Sequence, residues 1–186
     1  MIKRHIASKV GSFPAGLTRF IGAAIPTAME VSPDKPIFVV DRMLGGLAKW
    51  LRVAGFDALY SSAYNKEDLT IIEKQTGRTI ITRDTRFGPA GGKNVVVLRN
   101  NYTIGQVKEL FKRLGIVPDP KRYFTRCIIC NSELVTVMKD DVKDSVPPYV
   151  FATCSAFSRC PSCKKVYWGG THKDQMLRTL DVILRA

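Results

Sequence analysis

Apolar positions between residues 37 and 115 alternate between two spacings. Ile37-Phe38-Val39-Val40 is a short unbroken apolar run, the pattern of a strand buried on both faces. Leu44, Leu47, Ala48 and Leu51 then recur at helical spacing and predict a helix over about 42–54, stopped by Gly55. Ala58-Leu59-Tyr60, Thr79-Ile80-Ile81-Thr82 and Val95-Val96-Val97-Leu98 repeat the strand pattern. Between them Glu67 to Gln75 reads as a helix with Leu69 and Ile72 inward, ended near Gly77, and Gly88–Gly92 as a loop. Thr103 is expected to cap a helix carrying Ile104, Val107, Leu110, Phe111 and Leu114, closed by Gly115. Strand–helix alternation with near-continuous apolar strands predicts an α/β domain over 37–125, its mostly parallel sheet covered by helices on both faces.

The pattern changes after residue 126. Cys127-Ile128-Ile129-Cys130 is answered, 29 residues on, by Cys160-Pro161-Ser162-Cys163. Two Cys-x-x-Cys knuckles offer four thiolates to one tetrahedral ion, which predicts a small zinc ribbon with Cys127, Cys130, Cys160 and Cys163 as structural ligands. A redox pair would need only one such motif, and an iron–sulfur cluster is the other use of four cysteines. Lys164 to Gly170 reads as a strand and turn, and Met176, Leu177, Leu180 and Leu184 stripe a C-terminal helix over about 172–185. Cys154 is left over and is expected to be a small buried side chain. No apolar run is long enough to span a bilayer.

Charge narrows the partners. Twenty-nine Lys and Arg against 16 Asp and Glu leave a formal +13, which predicts attraction to polyanions that weakens with salt. Residues 1–36 read as a separate basic extension, acid-free from Met1 to Met29, with Ile2, Ile6, Val10 and Phe13 near helical spacing. That is the composition of an organelle transit segment, and equally of a tail that drapes over RNA. A mitochondrial location is the expectation it favours, a cytoplasmic one the alternative.

Asp41 and Asp84 each follow a buried strand, where ligands of open parallel sheets gather. There they suit a shared Mg²⁺ or Mn²⁺ that assists phosphodiester hydrolysis; both also suit turns or caps. Glu67 and Asp68 open a helix, as further metal ligands or as plain helix-start electrostatics. Lys49, Arg52, Arg83 and Arg86 stand near these acids, placed to hold phosphates or simply to face water. Tyr64, Tyr102, Tyr123 and Trp168 are candidate base-stacking residues, and Trp50 is expected in the core.

Taken in order, Phe38-Val39-Val40-Asp41-Arg42-Met43-Leu44-Gly45, Leu47-Ala48-Lys49-Trp50-Leu51-Arg52, Ile81-Thr82-Arg83-Asp84 and Val166-Tyr167-Trp168-Gly169 behind Cys160-Pro161-Ser162-Cys163 resemble the Mut-seven C-terminal RNase family. The resemblance covers about residues 37–180. It implies a PIN-like fold with a C-terminal zinc ribbon and a metal-dependent ribonuclease, with Asp41, Asp84 and either Glu67 or Asp68 as the metal-binding acids. Two residues after Asp84, where wider PIN nucleases often carry another acid, stands Arg86. The leading expectation is therefore a single-strand-preferring endoribonuclease acting on RNA. The alternative is a catalytically inactive RNA-binding subunit of a ribosome or other ribonucleoprotein, and a third reading is an adaptor that recruits a partner through the ribbon.

Overall fold

The structure, a computed structural model, describes residues 36–87 and 94–185. The basic extension up to residue 35 and the Gly88–Gly92 loop lie outside the described residues. Four short strands, β1 (Phe38–Val40), β2 (Ala58–Tyr60), β3 (Thr79–Thr82) and β4 (Val95–Val97), run parallel in the order β2-β1-β3-β4. Successive side chains on a strand face opposite ways, so each strand serves two cores. Phe38, Val40, Ile81 and Val96 pack with α1 (Gly45–Val53) and α3 (Thr103–Leu114). Val39 and Ile80 pack with Leu69 of α2 (Lys66–Thr76) and with Phe87. This double burial is why the strands carry no polar alternation.

Local chemistry sets the helix ends. The expected helix over 42–54 begins as a 3₁₀ turn, Arg42–Leu44, because the Leu44 N–H reaches back to the Asp41 carbonyl at 2.8 Å. Gly55 follows α1 with φ of 87°, and a Cβ there would overlap the Arg122 carbonyl, so only glycine fits. α2 starts with a reciprocal cap between Asn65 and Asp68 and stops at Gly77 in the left-handed region. Thr103 does not cap α3. It is the first helical residue, behind Tyr102, and it presses on Gly46, where an added Cβ would lie 2.7 Å from the Thr103 hydroxyl oxygen. The Tyr102 N–H is satisfied instead by Asn100 Oδ1 at 2.9 Å.

The second sheet is antiparallel, in the order β5 (Val135–Val137), β6 (Phe157–Arg159), β7 (Val166–Trp168). Val142, Val146, Phe157 and Val166 form its small core, with α4 (Pro148–Thr153) beside it. Cys154 is partly buried against this core, its Sγ 3.3 Å from the Gly169 carbonyl. The chain then returns to the helices of the first sheet. α5 (Thr171–Leu184) lies on α3 and buries Leu180 and Ile183 in the core that α1 and α3 share, which Trp50 also borders. Among the described residues no helix is long and apolar enough to cross a membrane.

Candidate functional site

β1 and β3 are neighbours, but the chain leaves β1 for β2 on one side and β3 for β4 on the other. Such a switch point opens a crevice at the carboxyl ends of the strands. Asp41 leaves β1 there, 7% exposed, its N–H bonded to the Ile81 carbonyl at 2.9 Å. Thr82 ends β3 and is fully buried. Its hydroxyl donates to Asp41 Oδ2 at 2.5 Å and accepts the Asp84 N–H at 3.0 Å. One hydroxyl thus ties both strand-end acids together. Thr82 was not singled out from the sequence, although a hydroxyl closing an otherwise apolar strand is its signal.

Asp84 is not a bare carboxylate. The Arg86 fork binds both of its oxygens at 2.8 to 3.2 Å, and the Arg86 N–H adds a bond at 2.9 Å. The Arg86 side chain first, and its N–H second, hold the Asp84 carboxyl down to about 2, and the pairing raises the Arg86 pKa in turn. α2 begins close by, since Lys66 Nζ bonds the Arg86 carbonyl at 2.8 Å. Asp68 there is committed to the cap, with Oδ2 accepting the Asn65 N–H at 3.0 Å, and Glu67 is exposed on the first turn. Thr82 thus links the Asp41 carboxylate to the backbone of Asp84, and among the described residues no third acid forms an ion-holding group with them. Among the described residues the four cysteines are the single group of three or more His, Cys, Asp or Glu that could hold one ion.

The cations divide. Lys49 is exposed on α1, Arg86 pairs with Asp84, and Arg83 bonds Asn101 and lines a cleft beside Asp84. Arg52 is a correction to the expectation of a phosphate-holding residue. It is 3% exposed, with Nε on the Ala58 carbonyl at 3.0 Å and Nη1 on the Ile128 and Ile129 carbonyls at 3.0 and 2.9 Å. A guanidinium spent on three backbone carbonyls has no face left for RNA. Burial pulls its pKa down, and the thiols of Cys127 and Cys130 oppose that pull.

The cysteines sit at the other end of the sheet. Cys127 and Cys163 sulfurs are 3.5 Å apart, Cys130 and Cys160 sulfurs 3.3 Å, and all four lie within 4.8 Å. Tetrahedral zinc with bonds of about 2.3 Å needs sulfurs roughly 3.8 Å apart, so the set fits such an ion. The two knuckles repeat each other. The Cys130 and Cys163 N–H groups approach the sulfurs of Cys127 and Cys160 at 3.5 and 3.4 Å, and Asn131 and Lys164 turn the chain with φ of 72° and 63°. Burial raises the Cys130 thiol, but Ser132 and the neighbouring cysteines outweigh it and bring the group to about 6. The Tyr167 hydroxyl, 3.1 Å from Cys127 Sγ, adds an outer-shell partner.

Asn131 docks the first knuckle onto the sheet. Its Oδ1 accepts the Ala58 N–H at 2.9 Å and its Nδ2 donates to Asp57 Oδ1 at 2.7 Å. Asp57 also takes Arg78 at 2.6 and 3.1 Å. Its burial is outweighed by Arg78, then Asn131 and Arg126, and its pKa is lowered. Neither Asp57 nor Asn131 was legible beforehand, because their partners lie 21 and 74 residues away.

No curated protein and no solved structure matches the chain. A parallel α/β sheet with two acids at its switch point, followed by a four-cysteine ribbon, is the arrangement that one family model spans. Residues 36–180 match the model described as the Mut7-C RNAse domain, and the chain belongs to that family.

Proposed function

We propose that this protein is a metal-dependent ribonuclease of PIN-like type that hydrolyses phosphodiester bonds in RNA at Asp41 and Asp84. The observation that carries the reading is the Thr82 hydroxyl at the switch point, which donates to the Asp41 carboxylate and accepts the backbone N–H of Asp84. The donor set suits Mg²⁺ or Mn²⁺ as a two-carboxylate site, since such ions take one or two carboxylates and fill the rest with water and substrate phosphate. When bound, the ion would neutralise charge on the phosphodiester and activate water. Thr82 orients the Asp41 carboxylate by donating to one oxygen. Arg86 holds Asp84 until a phosphate competes for its guanidinium, which suits planar oxyanions as well as it suits a carboxylate. Arg83 adds positive charge near the strand ends, and Lys49 adds charge on the exposed face of α1.

The test is incubation of labelled RNA with purified protein, with Mn²⁺ and without added divalent ion. Cleavage is expected with Mn²⁺ alone. The double variant Asp41→Asn, Asp84→Asn should lose at least about a hundredfold in rate, the scale of removing an acid-held ion. Equal cleavage by the variant would end the assignment.

One observation favours a second reading, a catalytically inactive RNA-binding subunit of a ribosome or other ribonucleoprotein: Asp84 is neutralised by Arg86 and no third acid stands with the pair. RNA binding without cleavage under any divalent ion would select it.

A further inference from the structure

Three arginines, Arg83, Arg99 and Arg113, line one cleft of about 760 Å³ at the carboxyl ends of β3 and β4. The cleft starts beside Asp84, because Arg83 and Thr85 line it and Asp84 lies between them in the chain. One carboxylate, Glu109, faces the three cations, and it is already committed. It accepts the Arg99 and Asn100 N–H groups at 3.0 and 2.9 Å and pairs with Arg113 at 3.5 Å. Arg83 donates to Asn101, and Arg113 to the Val97 carbonyl as well as to Glu109, so both are partly engaged. Arg83 Nε is buried without a hydrogen-bond partner, and Arg99 is exposed with no side-chain bond among the described residues. Tyr102, on the same loop as Arg99, is 80% exposed.

We propose that this cleft is a subsite for one nucleotide of single-stranded RNA next to the bond held at Asp41 and Asp84. Arg83, Arg99 and Arg113 take its phosphates, and Tyr102 stacks on an unpaired base. The volume falls within the roughly 300–1,000 Å³ of small-ligand sites, which is more than a lone phosphate needs. Proteins hold single strands by combining basic grooves with exposed aromatic side chains. The proposal rests on the RNA reading above, but it concerns binding, so it stands or falls separately from cleavage.

The experiment is fluorescence anisotropy with a labelled single-stranded RNA of about eight nucleotides, a usual site size for such grooves. It is run on the full chain in divalent-free buffer at several salt concentrations. Arg99→Gln with Arg113→Gln should weaken binding about tenfold or more. It should also make the slope of log affinity against log salt shallower by about 0.7 for each phosphate that is no longer neutralised. Tyr102→Ala should weaken binding about fivefold or more with the slope unchanged, because stacking releases no counterions. Lys74→Gln, an exposed cation on α2, should change neither, and circular dichroism verifies that each variant is folded. Wild-type affinity in the double arginine variant would overturn the subsite. Displacement of the RNA by an equal phosphate concentration of uridine monophosphate would also overturn it, in favour of a free nucleotide. No RNA binding by the unaltered protein would overturn both the subsite and the RNA reading, whereas binding without cleavage would remove only the nuclease.

Discussion

Arg86 holds both oxygens of Asp84, and that pairing sets how the acid end responds to pH. The Asp84 carboxyl is held at about 2 in the fold, against about 3.9 for a free aspartate. A depressed carboxyl stabilises the fold above its unfolded pKa and loses that contribution as pH falls through the folded one. The stability difference between wild type and Arg86→Ala, measured by urea unfolding, is therefore expected to be constant above about pH 5 and to shrink as pH falls toward about 2. A difference that ignores pH would mean that the pair does not form in solution. At this scale the sequence was half legible. The place of Asp41 and Asp84 just past β1 and β3 could be read because the apolar runs before them mark the strand ends. Arg52 was misread because nearness in sequence to an acid says nothing about which way a helix turns a side chain. Its partners, Ile128 and Ile129, lie 76 and 77 residues away.

Helix starts are where a catalytic acid and a structural acid look the same in a sequence. Glu67 and Asp68 fit either role by position, since acids at a helix start are favoured by the macrodipole. The Asn65–Asp68 box gives Asp68 a definite structural task. Asn65→Ala and Asp68→Ala are each expected to cost about 1 kcal/mol of stability, the usual worth of such a cap. On the proposed nuclease reading, both variants should keep cleavage of the order of wild type when assayed well below their unfolding temperature. Loss of cleavage in Asp68→Ala alone would bring Asp68 back among the candidate metal-binding acids. The elements themselves were legible wherever burial was two-sided or amphipathic, as in β1, β3 and α3. The start of α3 was not, because the expected cap, Thr103, is drawn instead into the close approach of α1 and α3 at Gly46.

Across the whole molecule the ribbon is an excursion between two contacting helices, since α3 precedes it and α5 returns to α3. The described residues accordingly fall in one compact unit. Arg52 and Asn131 add a second attachment, at the edge strand β2. Arg52→Met would leave one buried and two partly buried carbonyls short of a donor and is expected to cost about 2–4 kcal/mol in urea unfolding. Removing a cysteine-held metal with a strong chelator should lower the melting temperature of the whole unit and speed hydrogen exchange at Ala58. Exchange confined to the ribbon would show the attachment to be weak.

The attachment at Arg52 also bears on how such a protein can change over time. A ribbon joined only by its two chain ends could be traded for another of similar size. This one must keep the Ile128 and Ile129 carbonyls within reach of a buried cation and an amide at 131 within reach of Ala58. The first knuckle can drift in sequence at its exposed Ile129 side chain while its backbone stays pinned. The second knuckle, whose Lys164 stands where the first has Asn131, carries no such tie among the bonds to β2 and is the freer to diverge toward a partner's surface.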